Sequence, residues 1–371
     1  MSRSWRPRYV PFIGAKVISG LDKLLQGTGV AGLTELRDLL QDLLGKNGEA
    51  ACLSEQEALQ PGQSRVFRLR FVSDGNSRSV VIKRLKPEVA QRNELVATRW
   101  LPAIGLSTAG PPLLGRVADR TGACVWHVYE DLGPWQLDPD KPDREWVEST
   151  MNLVAEIHTQ FAGHPLLGEV RMHGGDAGSH FYESNVRDAI YALTACESTG
   201  DQTQLRERLL DRLHGLLREL PKRREALEAD GGMETLLHGD LWSINVFVIP
   251  SANGSHTRLI DWDHATVGPA VYDISTFLLR FPADQRSWIL QLYTDALACR
   301  GWRTPPASEL NYLFETSEYA RLANLVIWPA IAWVRDRSSW SWNALGEVEK
   351  WFMDFKPVLP RELQVNARIE Q

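Results

Sequence analysis

The chain has 371 residues, 43% hydrophobic and 24% charged, which suits two lobes or domains with sizeable cores and excludes a disordered polymer. A formal net charge of −6, without a dense Lys/Arg run, argues against nucleic-acid binding as the main task. No stretch approaches the roughly 20 apolar residues that cross a bilayer. The basic start MSRSWRPRYVPFIGAKVISG lacks a signal peptide's unbroken apolar run, so neither a nucleic-acid nor a membrane partner is expected and the protein is expected in the cytoplasm.

Taken in chain order, the leucines of AGLTELRDLLQDLLG (31–45) fall on one helical stripe, which predicts an amphipathic helix packed on its own chain. SRVFRLRFV (64–72) and RSVVIKRL (78–85) read as strands joined by the turn SDGNS (73–77). A helix is predicted over Glu88 to Leu101, then two more strands in PPLLGRV and ACVWHVYE. The Pro/Asp/Gly-rich stretch 133–143 reads as a boundary. REWVESTMNLVAEIHTQF (144–161) has helical spacing, and further helices are predicted near 181–196, 203–219 and beyond about 270, with short strands in TLLHGD, NVFVI and TRLID. The four cysteines, Cys52, Cys124, Cys196 and Cys299, are widely spaced, form no metal or redox pair and read as thiols in a reducing compartment.

The segment 236–275 carries the chemistry. A short apolar strand ends in His-Gly-Asp, leaving Asp240 on a turn. Asn245 opens the strand NVFVI, residues 251–255 form a hairpin turn, and TRLID returns with Asp261 at its end. Three oxygen-bearing side chains are thereby expected at one mouth, and a few hard oxygens suit Mg²⁺ when phosphates and water complete its shell.

HGDLWSIN (238–245) resembles the catalytic loop H-x-D-x-x-x-x-N of the protein-kinase-like fold, in the HGD form of the aminoglycoside phosphotransferase and choline kinase superfamily, and LIDWDHATVGPAVYDIS (259–275) resembles that family's metal-binding segment. VVIKRL, the helix with Glu94, VYEDLG and AEIH extend the likeness over roughly residues 60–280. The resemblance implies an α+β, two-lobed protein-kinase-like fold, with a small antiparallel-sheet N-lobe (58–132), a larger mainly helical C-lobe (133–371) and an N-terminal helical extension (1–57). It implies an ATP-dependent small-molecule kinase, using ATP or GTP and Mg²⁺.

By the same resemblance, Asp240 is the catalytic base and Asn245 and Asp261 hold the metal. Lys83 meets the α/β-phosphates and Glu94 pairs with it. The segment from Val128 to Leu132, including Glu130, presents backbone to adenine, and Asp273 and His238 support the loop. In place of the phosphate-covering G-x-G-x-x-G there is only QPGQSRVF (60–67), which makes Gly62, Gln63 and Ser64 the candidate phosphate contacts. The absence of G-x-x-x-x-G-K-[ST] excludes a P-loop kinase. The partner is a small-molecule hydroxyl acceptor, with an aminoglycoside first. The alternatives are a sugar, choline, an amino alcohol or a fructosamine, or else a pseudokinase-type nucleotide-binding scaffold.

Each residue also has a plainer reading. Asp240 suits a helix N-cap, Lys83 an exposed edge-strand lysine, and Glu88 competes with Glu94. Asp263 reads either as a second metal or substrate contact or as a solvated or capping carboxylate, and His158 and His264 as local hydrogen-bonding groups. Trp328, Trp333, Trp340, Trp342 and Trp351 read as helical core or as an acceptor wall, with Glu315, Glu318 and Asp336 facing either substrate amines or water.

Overall fold

The structure, a computed structural model, describes residues 18–26, 29–44, 51–59, 65–73, 76–232, 234–252 and 254–359. The chain divides into two units, Met1–Ala97 with Pro111–Gly133, and Thr98–Gly110 with Pro134–Gln371.

In the first unit, α1 (Leu33–Leu44) buries Leu36 and Leu40 against an antiparallel sheet, as its leucine spacing predicts. The Trp126 indole N–H donates to the Ala31 carbonyl at 3.0 Å, fixing the start of that helix to the sheet. The five strands are β1 (Cys52–Ala58), β2 (Val66–Ser73), β3 (Asn76–Leu85), β4 (Leu113–Ala118) and β5 (Val125–Glu130), in the order β1-β2-β3-β5-β4. The expected boundary at residue 57 falls inside β1, which is a sheet strand and not part of a separate extension. Its sequence CLSEQEA hides this because an edge strand shows water most of its side chains. Glu57 and Glu55 are its register partners' counter-ions, paired with Arg68 at 2.9 Å and with Arg70.

The period of two sorts the sheet into faces. Phe67, Leu69, Val80, Ile82, Trp126 and Val128 are buried in the core under α1. Lys83 lies on the other face, paired in register with His127 of β5. Ser73 pairs with Asn76 across the β2–β3 turn, whose predicted Asp74-Gly75 tip lies outside the described residues.

The predicted helix 88–101 is interrupted. α2 (Pro87–Leu95) passes through a wide π-turn (Val96–Trp100) into α3 (Leu101–Ala103). Pro102 lacks the N–H that an α-helix would aim at the carbonyl of residue 98, and the wide turn falls at that place.

In the second unit, α4 (Arg144–Phe161) starts where the Asp143 carboxylate accepts from the Trp146 N–H at 3.0 Å, and it buries Val147, Met151, Val154, Ile157 and Phe161. α5 (Leu167–Gly174), α6 (Ser179–Thr194) and α7 (Asp201–Asp230) follow. α7 runs past the predicted end at 219 and through Pro221, because Leu216, Leu220, Arg223 and Leu227 keep a buried stripe on both sides of the proline. Two small antiparallel pairs come next, β6 (Glu234–Leu237) with β9 (Thr266–Pro269) and β7 (Val246–Ser251) with β8 (Gly254–Leu259). α8 (Val271–Leu279), α9 (Arg286–Ala298), α10 (Ala307–Asp336) and α11 (Ser341–Asp354) complete the unit.

The larger core is built by α6, α7, α10 and α11. The tryptophans divide between the two readings. Trp342 is buried in this core with Trp333 edge-on against it, 5.7 Å between centroids, whereas Trp328, Trp340 and Trp351 are exposed. No helix among the described residues is long and apolar enough to cross a membrane.

His127 is fully buried, and its Nε2 has no hydrogen-bond partner. Burial, with Arg116 and Lys83 nearby, lowers its pKa from 6.5 to about 4. The unfolded imidazole takes a proton near pH 6.5 that the folded one refuses until about pH 4, so stability falls as pH drops through that window. Urea denaturation is expected to show a loss of about 2 kcal/mol between pH 6.5 and pH 5 from this group. His127→Phe should remove that part of the slope. An unchanged slope in the variant refutes the assignment.

Candidate active site

β6 ends at Leu237 and delivers His238, Gly239 and Asp240 onto a turn. Gly239 has φ +79°, and a Cβ there would lie 1.9 Å from the His264 carbonyl oxygen, so only glycine fits. The turn is held from beneath by Asp273, in the first turn of α8. Its carboxylate accepts from the His238 N–H at 2.7 Å and from the Gly239 N–H at 2.9 Å. His238 donates from Nε2 to the Ile260 carbonyl at 2.8 Å, and this leaves Nδ1 to accept from the Asp240 N–H at 3.4 Å. Trp262 packs against the His238 ring, centroids 4.6 Å apart.

Burial alone would raise the Asp273 pKa. His158, His238 and the amide donors outweigh it and hold the carboxyl below the usual range, so it is ionised at neutral pH. His158 completes the support. Its Nε2 lies 3.5 Å from Asp273, its Nδ1 lies 2.8 Å from the Tyr293 hydroxyl, and its carbonyl accepts from Thr235 at 2.7 Å. The plain reading of His158 as a local hydrogen-bonding group is the one observed. Asp240 itself is partly exposed.

Asn245 closes a short 3₁₀ turn (Ser243–Asn245). Its side-chain NH₂ donates to the Asp240 carbonyl at 2.9 Å, and its own carbonyl accepts from the Ile260 N–H at 2.9 Å. The next residue, Asp261, is left-handed at φ 64°, ψ 53°, a conformation that Asp tolerates better than most side chains and that collects at functional sites. The β7–β8 pairing of Val246 with Leu259 is what brings the two strand ends together. With its NH₂ committed to Asp240, the amide presents Oδ1 as its remaining polar atom. An amide oxygen and a carboxylate suit Mg²⁺, which takes few protein ligands and keeps phosphates and water for the rest. Among the described residues no cluster of three His, Cys, Asp or Glu side chains could hold a metal by itself, so such an ion would rely on a bound phosphate.

Two further residues, which the sequence did not single out, adjoin the loop. Arg321 of α10 donates to the Gly239 carbonyl at 3.3 Å and to the Tyr272 carbonyl at 2.9 Å, with its guanidinium 3.7 Å over the Tyr272 ring. Arg280, at the end of α8, lies 3.3 Å over the indole of Trp242. These contacts join residues far apart in sequence and leave no local pattern. The one signal was a tryptophan inside the loop HGDLW, whose face would attract a cation.

In the sheet unit, Lys83 sits on β3 opposite His127. The Glu94 carboxylate accepts from Arg116. The segment 128–132 is pinned by Asp131, which accepts from Ser79 at 2.6 Å, Arg68 at 2.8 Å and the Gly133 N–H at 3.1 Å. The Glu130 N–H already donates to the Pro112 carbonyl at 3.0 Å, and Leu132 is half-buried. The candidate phosphate contacts Gly62, Gln63 and Ser64 lie outside the described residues.

Two substitutions test this framework. Gly239→Ala adds a left-handed alanine and a clash with the His264 carbonyl, and is expected to cost at least ~2 kcal/mol in thermal unfolding. Asp273→Ala strands two buried amides and is expected to cost about 3 kcal/mol in urea denaturation. A stability within 0.5 kcal/mol of the parent in either variant, at roughly the size of an ordinary surface change, refutes the tethering argument.

Residues 57–307, over half of the chain, match the model of the phosphotransferase enzyme family. Among solved structures, a spectinomycin phosphotransferase in complex with ADP and spectinomycin superposes with a TM-score of 0.56 at 13% identity, over 89% of this chain and 96% of that one. The Plasmodium vivax ethanolamine kinase superposes with a TM-score of 0.52 at 10% identity, over 81% of each chain. At such identities these two show the fold, which is the kinase-like α+β fold of a small antiparallel sheet and a larger helical part. Among curated protein sequences none matches this chain. The chain belongs to the phosphotransferase enzyme family, and its activity is phosphoryl transfer to a hydroxyl group of a small molecule.

Proposed function

We propose that the phosphoryl donor is ATP, or GTP, used with Mg²⁺, and that Asp240 is the catalytic base. The observation that carries this reading is the hydrogen-bonded lattice of the loop. Asp240 binds the Asn245 amide, Asn245 binds the Ile260 backbone, and Asp261 follows. Asn245 and Asp261 would hold the metal, which bridges phosphate oxygens and offsets the charge that develops there. The partly exposed Asp240 carboxylate receives, or orients, the proton of the attacking hydroxyl.

In the same reading, Lys83 contacts the α/β-phosphates and Glu94 fixes its direction. Backbone of 128–132, with Glu130 and Leu132, meets adenine, and Gly62, Gln63 and Ser64 cover phosphate. His238 and Asp273 hold the loop and touch no substrate. Catalysis then comes from positioning and charge stabilisation, with little covalent chemistry by the protein.

An aminoglycoside-type acceptor calls for carboxylates that reach its amines. The three carboxylates the sequence offers on α10 have partners of their own. Glu318 accepts from Ser275 at 2.7 Å, Glu315 lies 4.0 Å from Arg223, and Asp336 lies 3.1 Å from Arg335. The acceptor is therefore taken only as a small-molecule alcohol.

Asp240→Ala is expected to lower ADP release with an accepted alcohol by at least ~10²-fold, the low end for a lost acid–base group, while leaving Mg-ATP binding by calorimetry within about twofold. Near-full turnover in that variant removes Asp240 as the base. Turnover of any alcohol by the parent protein removes the pure scaffold reading.

A further inference from the structure

The charges around Asp240 carry information about the acceptor. Arg280 is held with its guanidinium 3.3 Å over the indole of Trp242, a residue of the same loop as Asp240. It makes no ion pair with a carboxylate among the described residues, and the residue is exposed to solvent. Asp240, Glu318 and Arg321 are all near enough for their charges to act on it. Glu318 is nearly buried and already committed, to Ser275 at 2.7 Å and to Arg321 at 3.4 Å. Arg321 adds a second fixed positive charge, anchored on the loop's Gly239 carbonyl. Partial burial pushes the Arg280 pKa down, yet a guanidinium stays protonated at neutral pH. One cation whose charge is felt at Asp240 is thus stacked, accessible and without an ion-paired carboxylate among the described residues. Such a group gains most from an anionic ligand, to which its planar fork can donate two parallel hydrogen bonds.

We infer that Arg280, stacked on Trp242, is a specificity-determining residue that selects an acceptor bearing an anionic group, of the hydroxy-acid class, over neutral and cationic alcohols. This rests on the kinase reading of the Asp240 loop. Arg321 reinforces the selection through its charge and binds protein carbonyls rather than the acceptor.

The test measures ADP release with Mg-ATP on two matched sets that differ only in charge: gluconate, glucitol and glucamine, and glycerate, glycerol and 3-aminopropane-1,2-diol. The anion of at least one set is expected to have the highest kcat/KM. Arg280→Gln is expected to cut the ratio of kcat/KM for the anion over its neutral analogue by about tenfold or more, and Arg280→Lys, which keeps the charge but loses the fork, to restore part of it. A preference for the amines, or a ratio unchanged in Arg280→Gln, overturns the inference and leaves the kinase reading standing. A rise confined to the KM for ATP also overturns it, by moving Arg280 to the nucleotide phosphates. No ADP release with either anion, in protein that binds Mg-ATP and turns over another alcohol, overturns the inference and leaves the kinase reading standing.

Discussion

Two hydrogen bonds from backbone amides to one buried carboxylate hold the His238–Asp240 turn in place. Asp273 sits at the start of α8, accepts from His238 and Gly239, and is kept ionised by the histidines and amide donors around it. Burying a carboxylate is costly unless donors replace its water, and here the donors are the groups that need positioning. The cost of burial and the placement of the turn are met by the same contacts. His158 and Tyr293 extend this lattice away from the loop, and Arg321 closes it by gripping the Gly239 carbonyl.

From that tether the rest of the site follows by backbone geometry. Gly239 must be left-handed and side-chain-free because the His264 carbonyl occupies the space of its Cβ. His238 then bridges to Ile260, and Ile260 to Asn245, so a single imidazole and a single amide link the loop to the β7–β8 pair. Asp261 is left-handed at the point where the chain leaves β8. A residue held in a sparsely populated conformation, beside a loop whose polar groups are nearly all spoken for, is what a preorganised site for a charged ligand requires.

Glu315 and Glu318 of α10 are engaged with guanidinium and hydroxyl groups of the protein, while the guanidinium of Arg280 lies on an indole and makes no ion pair among the described residues. Asp240 and Asp261 are both partly exposed carboxylates, and Arg321 is paired with Glu318. In the inferred selection, the stacked guanidinium of Arg280 favours an acceptor that brings its own negative charge.

The sequence by itself determined the elements whose signals are local. The leucine period made α1, strand alternation made β2 and β3, Asp143 capped α4, and the order His238, Asp240, Asn245, Asp261 marked the loop and hairpin. Tertiary structure decided what depends on partners distant in the chain. The polar strand β1 is set by its backbone pairing with β2, along which Arg68 and Arg70 meet its glutamates, and α7 runs through Pro221 because a buried stripe continues beyond it. The tryptophans of α10 and α11 divide between core and surface according to what packs on each. The guanidinium groups of Arg280 and Arg321 reach Trp242 and the Gly239 carbonyl only through the packing of α8 and α10, and no spacing rule in one dimension encodes a cation resting on a ring.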